Sequence, residues 1–90
     1  MNYRLLLHKD VSKFLEKCTP KQKTLIKQKL ILLQANPHHH PQLDIKMMQG
    51  YSNLYRLRVG HYRLIYQIKE DELLIFMMSI GNRGDVYKHL

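Results

Sequence analysis

Arg56, Arg58 and Arg63 stand together in the segment Tyr55-Arg-Leu-Arg-Val-Gly-His-Tyr-Arg-Leu-Ile-Tyr66, and guanidinium is the side chain whose rigid fork of donors matches the oxygens of a phosphate. The segment reads as two strands joined by a tight turn at Gly60-His61. With those two residues at the centre of the turn, Val59 pairs with Tyr62, Arg58 lies opposite Arg63, and Arg56 stands two residues further along the same face. Like charges opposite each other on a sheet destabilise it by roughly 0.2–1 kcal/mol, so a purely structural hairpin would alternate their sign. An anionic partner accounts for the clustering.

The rest of the composition agrees. The 90-residue chain has a net charge of +8, with fifteen Lys and Arg against seven Asp and Glu, which favours polyanions or acidic protein segments as partners. Residues 1–36 carry seven lysines and one arginine, whereas residues 37–90 carry four arginines and three lysines. The lysines fall on expected helices, where a solvated face explains them, and the arginines of the hairpin resist that explanation. A single domain spanning 1–90 is expected, since a chain of this size has only a modest core. Its 44% hydrophobic and 24% charged residues are those of a globular fold.

Several classes are disfavoured. The N-terminal Met1-Asn-Tyr-Arg-Leu-Leu-Leu7 lacks the apolar region and cleavage site of a signal peptide. The longest apolar run, Leu73 to Met78, is too short for a membrane span. The cytoplasm is therefore the expected compartment, with no membrane partner. Cys18 is the only cysteine and reads as a core residue without redox chemistry. His38-His39-His40, between Pro37 and Pro41, reads as an exposed loop, because a closed zinc site needs four spaced ligands and no such set is visible.

The elements that must position the arginines follow from periodicity. Asn2 to Leu7 predicts a first strand, and Asp10 then caps a short helix with Val11, Phe14, Leu15 and Cys18 on one stripe. Thr19, Pro20 and Gln22 form a capping-box signature for a second helix reaching about Asn36. Its apolar face comprises Leu25, Ile26, Leu30, Ile31, Leu32 and Leu33, and Pro37 stops it. A loop continues through Asp44 to Gly50, with Ile45, Met47 and Met48 touching the edge of the core. Leu54 to Val59, Tyr62 to Lys69 and Leu73 to Ile80 then form an antiparallel meander, and the first strand pairs with the free edge of the last. The expected fold is α+β: two N-terminal helices packed on one face of a mainly antiparallel four-stranded sheet, in the order β-α-α-β-β-β, with a short C-terminal tail or helix. The other face carries the three arginines, partly open to solvent. Tyr51, Tyr55, Tyr62 and Tyr66 pack on the sheet, Asp85 caps the C-terminal turn, and Met77 and Met78 fill the core.

This succession of elements, with the hairpin motif and a tail of the form Gly81-x-Arg-x-x-x-Tyr87, resembles the RelE/ParE superfamily of bacterial toxins, on the RelE side. The resemblance covers essentially the whole chain. It implies a toxin of a type II toxin-antitoxin system that enters the ribosomal A site and cleaves mRNA there, without metal or other cofactor. It also implies a cognate antitoxin with an acidic or partly disordered segment, and contact with DNA only through that antitoxin. Matched residue by residue, the family's phosphate-binding strand cations fall on Arg56 and Arg58, its transition-state arginine on Arg63, its tail arginine on Arg83 and its tyrosine on Tyr87. The chain departs from the pattern in having arginines where the best-known form has lysines at 56 and 58. Asn82 replaces a frequently basic residue, and Met47, Met48 and Gln49 stand where relatives carry lysines. These departures point to weakened RNA affinity or slower cleavage. The alternatives are a ParE-like inhibitor of DNA gyrase and a catalytically weakened module that only binds its antitoxin.

Metal-free RNA cleavage sets three tasks: removing the proton of the 2′-hydroxyl, stabilising charge on phosphorus, and protonating the leaving oxygen. Arg63 is the first choice for the second task, with Arg56 and Arg58 gripping adjacent phosphates. Arginine stays protonated and so is a poor base, which moves the first task to Tyr87. Positive charge from Arg83 and the strand arginines would favour its phenolate. His61 and His89 are the alternatives, and Arg83 is suited to stabilising the leaving group.

Overall fold

In a computed structural model of the chain, residues 2–82 are described. The first strand, β1 (Arg4–Leu7), is followed by α1 (Lys9–Glu16) and α2 (Pro20–Ala35). The strands β2 (Asp44–Met47), β3 (Leu54–Val59), β4 (Tyr62–Lys69) and β5 (Leu74–Asn82) complete one sheet, with a 3-10 turn at Glu70–Glu72 between the last two. The sheet has five strands in the order β1-β5-β4-β3-β2. It is mixed, since β1 runs parallel to β5 while every other pairing is antiparallel.

Two helices on an otherwise antiparallel meander agree with the sequence expectation, and so does β1 against the free edge of β5. The strand count does not. The segment read as loop from Asp44 to Gly50 begins with a short edge strand, paired residue for residue with β3 from Asp44↔Arg58 to Met47↔Tyr55. Only its Ile45 packs on the core, and Met47, expected at the core edge, is 60% exposed. The C-terminal tail, with Arg83, Asp85, Tyr87 and His89, lies outside the described residues.

Both helices start where the sequence provides acceptors for their free N–H groups. Thr19 accepts from the Gln22 amide and Gln22 Oε1 accepts in return from the Thr19 amide at 2.9 Å, the reciprocal capping box. For α1 the cap is His8, whose Nδ1 accepts from the Asp10 amide at 3.0 Å. Asp10 sits in the first turn, where a carboxylate suits the positive end of the helix, and is not the cap itself. Cys18 falls beyond the end of α1, half buried, with its sulfur 3.4 Å from the Phe14 carbonyl.

The core lies between the helices and one face of the sheet. Val11, Ile26, Leu30 and Leu33 pack against Leu57, Leu64, Tyr66, Ile75 and Met77, all buried. Leu25 and Ile31 of α2 are instead exposed, because the apolar arc of this helix is wider than the surface the sheet offers it. Ile31 lies beside an apolar groove of about 370 Å³ between β1 and α2, with Leu5, Leu7, Leu15, Ile26 and Leu30, and with Lys23 and Lys27 also lining it.

Tyr66 ties the connection after α2 to the centre of the sheet. Its ring is buried and stacked on Tyr55 with centroids 5.7 Å apart, and its hydroxyl donates to the carbonyl of buried Pro37 at 2.7 Å. Next to it, His38 makes edge contacts with Tyr55 and Tyr3 and pairs with Glu70, which also accepts from the Tyr3 hydroxyl at 2.8 Å. The first residue of the histidine run is thus anchored rather than free in a loop.

Burial, and secondarily the neighbouring Tyr55, pushes the Tyr66 phenol above its ordinary range. Tyr66→Phe leaves the Pro37 carbonyl unmet and should lower stability by about 1–3 kcal/mol in urea unfolding near neutral pH. A raised phenol contributes stability that is intact below the unfolded value near 10 and is lost as pH rises through the folded value. The variant's stability should therefore fall less steeply than wild type in unfolding curves above about pH 10.

Candidate nucleic-acid interface

The two inner strands β3 and β4 put the arginines where the alternation predicts. Val59↔Tyr62 closes the hairpin, Arg58 is in register with Arg63, and Arg56 with Ile65. Gly60 adopts a φ of +58°, the left-handed conformation that a tight hairpin turn needs and that costs glycine little. Leu57, Val59, Leu64 and Tyr66 pack with the helices, so Arg56, Arg58 and Arg63 point to the opposite face.

The neighbouring strands extend the pattern into two rows across the sheet. One row runs Asp44, Arg58, Arg63, Gly81, and the next runs Lys46, Arg56, Ile65, Ser79. These two rows therefore hold four cations and one carboxylate. Gly81 places no side chain beside Arg63. Arg58 and Arg63 line a concavity of about 480 Å³ together with Gly60, His61, Tyr62 and Asn82. Asn82 is in register with Tyr62, so β5 arrives at the same end of the sheet as the hairpin turn.

Arg56 is held more tightly than an open phosphate clamp would be. Its Nη2 donates to Asp44 Oδ1 at 2.9 Å, and its side chain is only 18% exposed against 59% for Asp44. Its Nε is buried and has no partner among the described residues. Arg58 is exposed and Arg63 half buried, and among the described residues neither has an acidic partner.

The structure thus brings together Arg56, Arg58 and Arg63, and adds His61 at the mouth of the concavity. Arg83 and Tyr87 lie outside the described residues, so the tail half of the expected site stays an expectation. Asp44 and Lys46 were missed by sequence reasoning. The available signal was the alternation Asp44-Ile45-Lys46-Met47, obscured by its four-residue length and by the Met47-Met48-Gln49-Gly50 run after it.

A small α+β domain with helices on one sheet face and clustered arginines on the other is the class these features define. The chain matches the family described as the ParE toxin of the type II toxin-antitoxin system, parDE, over residues 5–87. It is 30% identical to a RelE1 toxin sequence of Methanocaldococcus jannaschii, over 99% of both chains. It is also 29% identical over 66 residues to the mRNA interferase toxin RelE of Escherichia coli K12, covering 69% of this chain and 65% of that one. Its fold superimposes with a TM-score of 0.81 on a chain of the archaeal RelE-RelB complex from Pyrococcus horikoshii OT3, at 28% identity, covering 93% of this chain and 98% of the other. The chain belongs to the RelE/ParE superfamily, as a RelE-like toxin of a toxin-antitoxin system. Among the described residues no helix is long and apolar enough to cross a membrane.

The Arg58–Arg63 pairing carries a cost that its removal should reveal. Arg63→Thr substitutes a strand-favouring residue and relieves the repulsion. It should stabilise the protein by about 0.2–1 kcal/mol in urea unfolding at low salt, with the gain shrinking as salt screens the pair.

Proposed function

We propose that this toxin is a metal-independent, ribosome-dependent endoribonuclease that cleaves mRNA in the ribosomal A site. The observation that carries the reading is the Arg58–Arg63 pair at the mouth of the hairpin concavity, on a chain whose relatives include one named an mRNA interferase toxin. Two guanidinium groups fixed on adjacent inner strands cost stability in isolation and gain it against a phosphate.

In this reading the substrate's 2′-oxygen attacks the adjacent phosphorus, the bond from phosphorus to the 5′-oxygen breaks, and the products are a 2′,3′-cyclic phosphate and a 5′-hydroxyl. The proton leaving the 2′-hydroxyl passes to a base, and the departing 5′-oxygen takes up a proton. Arg63 stabilises the charge that builds on the phosphoryl oxygens, and Arg58 and Arg56 hold the flanking phosphates. Tyr87 is the leading base and Arg83 steadies the leaving oxygen. His61, which lines the concavity, is the alternative base within the described residues, and His89 is a further one. The Asp44 carboxylate on Arg56 offsets one of the cations, in keeping with an enzyme whose RNA grip is weaker than that of lysine-rich relatives. Because these few side chains sit on an open face, the ribosome must supply most of the substrate positioning, and it does so in the cytoplasm.

A ParE-like action on DNA gyrase is the second reading, favoured by the family description that the sequence matches. The binding partner in either case is a cognate antitoxin whose acidic, partly disordered segment folds on contact. The apolar groove between β1 and α2, lined also by Lys23 and Lys27, suits the apolar face of such a segment while the lysines meet its carboxylates. Any approach to DNA is then made through the antitoxin.

Translating ribosomes treated with the protein should yield message with new ends phased to codons. Arg63→Ala and Tyr87→Phe should each reduce the cutting rate by about 10²–10³, the loss expected when one preorganised charge-stabilising or proton-transfer group is removed. Intact message with arrested gyrase would assign the chain to the second reading, and neither effect would leave only antitoxin binding. For the groove, Ile31→Glu places a charge on a residue already 55% exposed. It should weaken the cognate antitoxin by at least about tenfold in calorimetric titration, with the unfolding midpoint unchanged.

A further inference from the structure

We infer that Tyr62 is a positioning residue for the arginine concavity: seated on Phe14 of α1 and Cys18 just past its end, it holds the hairpin tip where Arg58 and Arg63 converge on one phosphate. The inference rests on the RNA-cleaving reading for the source of that phosphate, and on the packing of Tyr62 for its geometry. Tyr62 pairs with Val59 to close the hairpin and with Asn82 at the end of β5, and it lines the concavity beside Arg58, Arg63 and His61. Its ring meets the Phe14 ring edge to face, with centroids 5.7 Å apart and planes at 85°. Burial, and then the Cys18 thiol hydrogen-bonded to its hydroxyl, raise the Tyr62 phenol above its ordinary range. The thiol itself donates to the Phe14 carbonyl at 3.4 Å, which leaves the sulfur to accept from Tyr62. Ring and sulfur, four residues apart in the chain, thus form a two-point seat.

The hairpin tip needs such a seat. Arg58 and Arg63 repel each other where the strands are joined by a two-residue turn and the Val59↔Tyr62 pair. The turn lends little support: among the described residues nothing beyond the chain neighbours lies within 4 Å of where a side chain of Gly60 would begin, and His61 is exposed. An edge-to-face ring pair and a hydrogen bond together are at least as strong as the cross-strand repulsion, so the seat decides where the tip rests. The two arginines also differ in how they are held. Arg58 lies between Leu57 and Val59, both buried in the core, whereas Arg63 lies between buried Leu64 and half-buried Tyr62. Side chains leave a strand on alternate faces, so a roll of β4 that lifts Tyr62 from α1 swings Arg63 away from Arg58 on the opposite face. Convergence of the pair therefore turns on Tyr62, and α1 is tied through it to a site to which it contributes no cation.

The test reads phosphate binding apart from cleavage. Inorganic phosphate is titrated near neutral pH at constant ionic strength, and the arginine Nε–H signals are followed by NMR in wild type, Tyr62→Phe, Phe14→Leu, Cys18→Ala and Cys18→Ser. Tyr66→Phe controls for lost stability, since Tyr66 does not line the concavity. In wild type the Arg58 and Arg63 signals should shift with one midpoint. Tyr62→Phe and Cys18→Ala each remove one hydrogen bond of the seat and should weaken phosphate by about twofold to tenfold, the equivalent of one net hydrogen bond. Phe14→Leu should weaken it at least as much and give the two arginines separate midpoints. Cys18→Ser should recover the affinity lost in Cys18→Ala, and Tyr66→Phe should keep wild-type affinity despite its lower stability. Unchanged affinity in Tyr62→Phe and Phe14→Leu, an equal loss in Tyr66→Phe, a Cys18→Ser variant no tighter than Cys18→Ala, or no shift of the two signals in wild type would each overturn the inference. Failure of the ribosome assay alongside an intact Tyr62 effect on phosphate would sink the nuclease reading alone. Codon-phased cutting by a protein whose phosphate affinity ignores Phe14 and Tyr62 would sink the seat alone.

Discussion

The register of the β3–β4 hairpin is the constraint on which the remainder of the molecule depends. Side chains on a strand alternate faces, so a slip of one residue would turn Leu57, Val59, Leu64 and Tyr66 to solvent and drive three arginines into the core. The positive φ at Gly60 permits the tight turn that sets this register, and the helices enforce it by covering the apolar face. The cations consequently hold their spacing without any bound ligand. That is the preorganisation an anion-binding site requires, because the cost of bringing like charges together is met during folding rather than on binding.

Magnitudes explain why the sheet tolerates the arrangement. Cross-strand repulsion between Arg58 and Arg63 amounts to at most about 1 kcal/mol. Burying one Leu or Ile side chain contributes about 1.5–3 kcal/mol, and Leu57, Leu64 and Ile75 are all fully buried on the helix-covered face. The interior of the sheet thus outweighs its charged face several times over. Lysines would have carried the same repulsion with less directional grip, whereas arginine's planar fork can approach one phosphate from two strands at once.

How far the sequence could be read tracks how strongly each element is specified locally. The hairpin, the two helices and the pairing of β1 with β5 rest on long periodic runs, turn residues and the Thr19-Pro20-Lys21-Gln22 cap, and all were legible. The edge strand β2 was not, since its four residues have a single half-buried side chain and owe their extended form to hydrogen bonds with β3. The His8 cap was obscured for a similar reason: aspartate is the commoner cap, and only the backbone geometry at His8, extended with φ of −61° and ψ of 148°, identifies the true start of α1. The three hairpin arginines were placed correctly, yet their environment was not foreseen. That Arg56 is clasped by Asp44 depends on two segments meeting across the strand order, which no local pattern encodes. Arg83 and Tyr87 rest on the family resemblance.

An edge strand is also where a sheet must prevent unwanted pairing, and charged side chains on short strands are a common solution. Asp44 and Lys46 on β2 meet that need, so their presence alone would not imply a role in recognition. Their placement relative to β3 argues further. A protective charge needs only solvent, whereas Asp44 reaches inward to Arg56 and Lys46 continues the line of arginines. This divides the labour between strands. Substitutions on the inner strands disturb the core that fixes the cations, while those on β2 alter the charge beside them and leave the hairpin register intact. Under the nuclease reading, affinity for RNA would therefore vary through β2 largely independently of the groups to which the proposed reaction is assigned.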